Sequence, residues 1–193
     1  MSWADLLGLF LPLFVAVDPL GVLPAFLQMT SGMKEKARRK LVDLSVLTAA
    51  AVGLLFIPLG PLVLGALGLK TGDFQVAGGI LVLVVALRDV VFDKKMFHPR
   101  GGEGAGVVPI GIPLLVGPAV FATLILLRDR FEWWQVGFAL LANLLFSWLV
   151  FRQSVALLRW LGQTGSRVIS KLAALLLAAY AVMMIRVGLQ SFH

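Results

Sequence analysis

Six long stretches of this chain are almost entirely apolar, and they limit its fold more than any other feature does. They cover residues 6–29, 41–67, 74–92, 107–127, 133–158 and 168–189. A helix needs about 20 mostly apolar residues to cross a bilayer, so each stretch is long enough for one span. Because 60% of the 193 residues are hydrophobic and 14% are charged, a soluble domain of this size has no core that could hold so much apolar surface. The sequence therefore predicts an all-α membrane protein with six transmembrane helices and the lipid bilayer as its main partner.

The basic residues are distributed unevenly between the connections. The chain carries 17 Lys and Arg against 10 Asp and Glu, an excess that would fit a nucleic-acid partner in a soluble protein. Thirteen of the 17, however, fall in the first, third and fifth connections, and four fall on the other side. Since cytoplasmic loops are enriched in Lys and Arg, we expect both termini outside, a location in the cytoplasmic (inner) membrane, and no nucleic-acid partner.

Residues that commonly hold metals or carry out catalysis are scarce. There is no cysteine, and the two histidines, His98 and His193, lie far apart and outside the apolar stretches. Enzymes that act within the membrane usually need a paired carboxylate, a His cluster or a Ser–base pair there. We therefore expect no metal, no cofactor and no enzymatic activity.

The first and fourth apolar stretches are both interrupted by proline near their middle. Pro19 and Pro118 are 99 residues apart, and three spans per half means that the second half is inserted upside down. The sequence therefore predicts one transmembrane domain over residues 1–193, built from two inverted three-helix repeats, 1–92 and 107–193, joined by a cytoplasmic linker, 93–106. Helices 1 and 4 are expected to be broken in mid-membrane, and paired interruptions of this kind indicate a transport site.

The chemistry of the two breaks follows from the properties of proline. A proline is well suited to the first position of a new half-helix, so Asp18 and Gly117 are expected to be the N-cap residues. Each half-helix would then direct unpaired amides and the positive end of its dipole toward the middle of the bilayer. Such ends can hold a carboxylate, and the carbonyls of the preceding half-helices can hold an ammonium group or a cation. The predicted substrate- and ion-binding residues are Asp18, Pro19, Leu20, Gly21, Gly117, Pro118, Ala119 and Thr123.

Individual polar residues in the spans allow more than one interpretation. An acidic residue in mid-span such as Asp18 is unfavourable by about 2.5–3.5 kcal/mol on insertion scales. It fits a proton or cation carrier, an anchor for a substrate amine, or a cap of the following helix, and these roles are compatible. Thr123 can face the same cavity as Pro118, while Thr123, Asn143 and Ser147 can also form hydrogen bonds between helices. Gly78 and Gly79 are typical of a close-packing surface, which could equally support helix sliding during transport.

Three segments together resemble the MarC family, whose members include SnatA-type transporters of small neutral amino acids. They read FVAVDPLGVLPAF at 14–26, FQVAGGIL at 74–81 and PIGIPLLVGP at 109–118, and the resemblance extends over essentially the whole chain. The chain departs from the family pattern at Ala119, where the family usually has glycine, and at 171–174, where it usually has Arg and Gly. A side chain at position 119 narrows the approach to the half-helix amides, so the substrate is expected to differ in detail.

The resemblance implies a secondary transporter that moves a small neutral amino acid, similar to alanine or glycine, across the cytoplasmic membrane. A proton or sodium gradient would drive it by alternating access around a midplane site at the two broken helices. The alternative is a proton or ion channel or exchanger without an organic substrate. The sequence leaves the coupling ion, the direction of flux and a homo-oligomeric state open.

Overall fold

A computed structural model describes residues 3–30, 32–91 and 115–191, and this part of the chain contains seven α-helices and no strand. The helices are α1 Trp3–Val17, α2 Pro19–Met29, α3 Glu35–Ala66, α4 Thr71–Val91, α5 Pro118–Arg128, α6 Trp133–Arg152 and α7 Ser154–Gln190. The predicted linker 93–106 and the first half of the predicted fourth span, 107–114, lie outside the described residues.

Several of these helices are long and apolar enough to cross a bilayer. Four stretches meet that requirement: Asp5–Leu23, Glu35–Ala66, Trp133–Arg152 and Lys171–Gln190. Two shorter apolar helices, Thr71–Leu87 and Pro118–Arg128, accompany them. The prediction of an all-helical membrane protein is therefore confirmed, whereas the arrangement as six spans in two inverted repeats stays a prediction.

The main core lies where α1, α2, α3, α5 and α6 meet. On α3 the buried side chains recur every three or four residues, which is the pattern of one helix face. They are Val42, Ser45, Ala49, Gly53, Ile57, Gly60 and Leu64. The opposite face carries leucines such as Leu47 and Leu62, which are 68% and 67% exposed. An apolar outer surface of this extent fits contact with lipid rather than water.

Helices α4 and α7 pack together through glycines. A Cβ atom at Gly79 would lie 2.9 Å from the carbonyl oxygen of Ala181, and one at Gly188 would lie 2.8 Å from that of Gly72. Only a residue without a side chain allows two backbones to approach this closely. The predicted close-packing role of Gly79 is thus confirmed, and Gly72 and Gly188 extend the same contact.

The boundary between the last two predicted spans differs from the structure. Helix α6 ends at Arg152, six residues before the predicted end of span five, and α7 begins at Ser154 after the single turn residue Gln153. Within α7, Gly162 interrupts the helix with φ 67° and ψ 173°. The sequence around Gln153 has neither Pro nor Gly, so it carries no local signal for a break there. The positive φ at 162, in contrast, is a conformation that glycine adopts readily.

A polar contact ties α3 to the end of α6. The indole nitrogen of Trp148 donates to Asp43 Oδ1 at 2.7 Å, and Arg152 Nη2 donates to Asp43 Oδ2 at 3.1 Å. The Arg152 guanidinium also lies 4.6 Å from the centre of the Trp148 ring. These contacts connect the first part of α3 with the end of α6.

Candidate functional site

The first helix break is formed by a single residue, Asp18. Its N–H donates to the carbonyl of Phe14 at 2.9 Å, and its own carbonyl accepts from the N–H of Val22 at 3.1 Å. Asp18 therefore closes α1 and opens α2. Its φ of 46° lies in the left-handed region, which Asp tolerates better than most residues other than glycine. Together with Pro19 at the next position, this conformation ends one helix and starts another.

The side chain of Asp18 caps the helix that follows it. Its Oδ1 accepts a hydrogen bond from the N–H of Gly21 at 3.0 Å, which is the bond expected of an N-cap carboxylate. A Cβ atom on Gly21 would lie 2.1 Å from Asp18 Oδ2. Gly21 is therefore the residue that lets the carboxylate approach its own helix. The predicted capping role of Asp18 is confirmed.

The second helix start also has proline directly after the N-cap residue, but the N-cap residue has a different backbone conformation and no side-chain cap. Gly117 is the N-cap of α5, with extended dihedrals of φ −95° and ψ −173°, and Pro118 occupies the first turn. The carbonyl of Gly117 accepts from the N–H groups of Val120 at 3.0 Å and Phe121 at 3.2 Å. No side chain caps this end, because glycine has none to offer. The prediction that Gly117 caps α5 is confirmed.

The two helix starts are matched in length and share one core. Helices α2 and α5 each contain 11 residues, which corresponds to about 16 Å at 1.5 Å per residue. That is roughly half of a hydrocarbon layer about 30 Å thick. Val17, next to the first break, and Val116 and Val120, on either side of the second, belong to one continuous cluster of buried residues. Both starts thus border the same apolar core.

Thr123 is fully buried and joins α5 to α7. Its Oγ1 donates to the carbonyl of Ala119 at 2.8 Å and lies 3.0 Å from the hydroxyl oxygen of Tyr180. A threonine hydroxyl has one hydrogen, so the Tyr180 hydroxyl donates in the second bond. Sequence reasoning did not single out Tyr180, although it is the chain's single tyrosine and lies within the last apolar stretch. The interhelical interpretation of Thr123 is confirmed.

The remaining predicted residues surround these bonds. Pro19 is buried, Leu20 packs against the main core, and Ala119 contacts both that core and the smaller cluster between α4 and α7. Pro118 is exposed. The structure therefore brings Asp18 together with Gly21, and Ala119 together with Thr123. Binding of a substrate or ion at these residues stays a prediction.

The polar residues of α6 serve the packing of helices. Asn143 is 1% exposed, and its Nδ2 donates to the carbonyl of Ala139 at 2.9 Å and to that of Phe10 in α1 at 3.3 Å. Ser147 donates to the carbonyl of Asn143 at 2.8 Å. Both bonds of Asn143 use its donor nitrogen, which fixes the orientation of the amide. The predicted interhelical hydrogen bond is confirmed for Asn143.

The described residues form no metal cluster, and an open groove that the structure shows lies apart from the two helix starts. In the part of the chain that the structure describes, no three His, Cys, Asp or Glu side chains are grouped so that they could hold a metal ion. An open groove of about 340 Å³ lies at the junction of α6 and α7, lined by Leu149, Val150, Gln153, Ala156 and Leu157. Its lining includes none of the residues at the two helix starts, so we do not connect it with them.

The helices are long and apolar, their outer faces carry exposed leucines, and their core is built by interhelical contacts. These features define an α-helical integral membrane protein. The model for MarC family integral membrane proteins matches residues 3–192, and the chain belongs to that family. The two helix starts lie within the matched region.

Relatives cover nearly the whole length of the chain. It is 32% identical over 185 residues to the UPF0056 inner membrane protein YhgN of Escherichia coli (strain K12), which covers 92% of each chain. It is also 32% identical over 195 residues to the UPF0056 membrane protein YhcE of the same strain, covering 94% of this chain and 90% of the relative. A UPF0056 membrane protein of Buchnera aphidicola subsp. Schizaphis graminum is 26% identical over 190 residues, with the same coverage. No solved structure matches this chain.

Proposed function

We propose that this protein is a secondary transporter that carries a small neutral amino acid, similar to alanine or glycine, across the cytoplasmic membrane. A proton or sodium gradient drives the transport, and the chain alternates between two states around a site at the two helix starts. In this proposal the six spans form two inverted three-helix repeats, 1–92 and 107–193, with both termini outside. The relatives named inner membrane proteins support the choice of membrane.

The observation that carries the proposal is the matched pair of half-length helices. Pro19–Met29 and Pro118–Arg128 have equal length, each begins with proline after a capping residue, and their starts border one core. A helix start has unpaired amides and a positive dipole end, which favour a negative group. Breaking a helix inside a membrane exposes backbone groups that need partners. A bound polar substrate would supply such partners at two corresponding places.

The substrate is proposed to be a zwitterion because the two starts differ in charge. Asp18 adds a carboxylate at the first start, whereas Gly117 adds no side chain at the second. The first start therefore favours an ammonium group or a cation, and the second favours a carboxylate. Ala119 is small and packs among apolar side chains, surroundings that favour a small, uncharged side chain on the substrate. An α-amino acid such as alanine carries all of these features.

The test is uptake of labelled alanine and glycine into proteoliposomes under an imposed proton or sodium gradient. Asp18→Asn keeps an acceptor for the Gly21 amide but removes the charge, so we expect a folded variant whose gradient-driven uptake falls at least tenfold. Asp129→Asn, in the connection between α5 and α6, is the matched control and should transport normally. If no small amino acid enters while the wild type dissipates the ion gradient, the proposal is wrong and an ion channel or exchanger takes its place.

A further inference from the structure

The open groove at the junction of α6 and α7 is mainly apolar. Of its five lining residues only Gln153 is polar, and the others are Leu149, Val150, Ala156 and Leu157. Its volume of about 340 Å³ is bounded by the end of one helix and the first turn of the next. An apolar groove on the outside of a membrane protein suits a hydrocarbon chain better than water.

The length of α6 places this groove next to the membrane surface. The helix has 20 residues, which corresponds to about 30 Å at 1.5 Å per residue and equals the thickness of a typical hydrocarbon layer. Arg152, its last residue, therefore lies at one interface. Trp148, one turn earlier, has the position that indole rings prefer. The groove thus begins at the level of the lipid headgroups.

Helix α3 brings basic residues to the same interface. With 32 residues it is about 48 Å long, so it extends beyond the hydrocarbon layer. Its charged first turns, and not its apolar last turns, are the part that leaves the hydrocarbon. Five basic residues precede or begin the helix, against one acidic residue, Glu35, which pairs with Arg39. The basic residues are Lys34, Lys36, Arg38, Arg39 and Lys40, and all are exposed or partly exposed.

The contact at Asp43 joins these basic residues to the end of α6. Asp43 accepts hydrogen bonds from Trp148 and Arg152. Lys40 and Lys36 lie three and seven residues before Asp43, on the same face of α3, and about 4.5 and 10.5 Å away along its axis. Arg152 itself remains 34% exposed. Positive charge therefore surrounds the headgroup end of the groove.

We propose that an anionic phospholipid binds at this junction, with one acyl chain in the groove and its phosphate held by Arg152, Lys36 and Lys40. Basic residues next to a membrane helix attract anionic lipids, with a free energy of about 1 kcal/mol for each Lys or Arg. A zwitterionic lipid with the same acyl chains fits the groove but gains less from the charges. The site is separate from the two helix starts, and this inference does not depend on the proposed transport.

Native mass spectrometry of the full chain in detergent tests the role of the charges. Dioleoyl phosphatidylglycerol and dioleoyl phosphatidylcholine are titrated separately, because they share acyl chains and differ in headgroup charge. The first phosphatidylglycerol should bind the wild type with a Kd at least tenfold lower than that of phosphatidylcholine. Lys36→Gln and Lys40→Gln should each weaken phosphatidylglycerol binding about fivefold and leave phosphatidylcholine binding unchanged. Lys70→Gln, an exposed lysine after the other end of α3, is the matched control and should change neither.

Filling the groove tests the role of the acyl chain. Ala156→Phe, and Ala156→Leu as a smaller replacement, should weaken binding of both lipids by a similar factor, while Ala66→Phe at the exposed end of α3 should not. Because position 156 is exposed, these variants should keep the wild-type Tm. Equal affinity of the wild type for the two lipids, or unchanged binding in the lysine or the groove variants, would overturn the proposal. A dimer mass that disappears in Ala156→Phe would also overturn it, because a second copy of the chain would then occupy the groove.

Discussion

The starts of α2 and α5 share a proline directly after the N-cap residue, but the two N-cap residues differ in conformation and in chemistry. Both helices have 11 residues and place proline directly after the capping residue. At the first start, Asp18 adopts φ 46° and directs its carboxylate to the amide of Gly21. At the second, Gly117 is extended and provides no capping side chain. Two helices of equal length thus carry a negative charge at the start of one and only the backbone dipole at the start of the other.

This difference gives the proposed site a direction. A substrate with one positive and one negative group has a preferred orientation between such ends, whereas two identical ends would bind it either way round. Positions further along the helices also differ. Thr123, the sixth residue of α5, bonds to Tyr180, whereas the sixth residue of α2 is Pro24, which has no hydroxyl. The comparison predicts that changes at the two starts will affect transport more than changes elsewhere.

The largest effect is expected from Gly21→Ala. The new Cβ would lie 2.1 Å from Asp18 Oδ2, so the carboxylate must leave its cap and the charge moves. We expect gradient-driven alanine uptake to be abolished and the free energy of unfolding to fall by about 1 kcal/mol or more. Proteoliposome uptake and thermal unfolding measure the two effects.

Gly65→Ala is the control for this prediction, because a Cβ at Gly65 meets nothing within 4 Å. Alanine in a helix should leave the protein as stable as the wild type or slightly more stable. Normal uptake by Gly21→Ala would mean that the position of the carboxylate is unimportant.

A smaller effect is expected when the second start is given the cap of the first. In Gly117→Asp the new carboxylate can accept from the first-turn amides of α5 and competes with the carboxylate of the substrate. We expect the KM for alanine to rise roughly tenfold, equivalent to about 1.4 kcal/mol. Gly117→Asn, a neutral cap, separates competition for the amides from charge repulsion. Uptake kinetics of both variants that match the wild type would remove the second start from the site.

The smallest effect is expected at the hydrogen bond between Thr123 and Tyr180. Thr123→Val and Tyr180→Phe each preserve shape and remove one hydroxyl. Since the bond is buried and neutral, a double-mutant cycle on unfolding should give a coupling energy of about 0.5–1.5 kcal/mol. Ser147→Ala combined with Tyr180→Phe is the control pair, because Ser147 bonds to Asn143 and not to Tyr180, and its effects should add. Additive effects of Thr123→Val and Tyr180→Phe would mean that the bond does not stabilise the contact of α5 with α7.

The features that local sequence determines could be predicted from the sequence. Proline after a residue suited to capping marks a helix start, and this identified Asp18 and Gly117 correctly. A long apolar stretch marks a membrane helix, and 41–67 corresponds closely to Glu35–Ala66. These signals depend only on neighbouring residues, so no knowledge of the folded chain was needed.

Interhelical roles could be predicted for Asn143 and Gly79, but the partners in most tertiary contacts could not. Tyr180 is 57 residues from Thr123, and no pattern along the chain pairs the two. The boundary between α6 and α7 at Gln153 contains neither Pro nor Gly. The predicted fifth span therefore extended beyond the residue where α6 ends.

The central claim is that the two helix starts recognise opposite ends of one substrate. The most direct test is inhibition of alanine uptake by ethylamine, which lacks the carboxylate, and propionate, which lacks the ammonium group, in the wild type and in Asp18→Asn. The account predicts that Asp18→Asn weakens binding of alanine and ethylamine at least tenfold and leaves inhibition by propionate unchanged. Equal losses for ethylamine and propionate, or no loss for either, would contradict it.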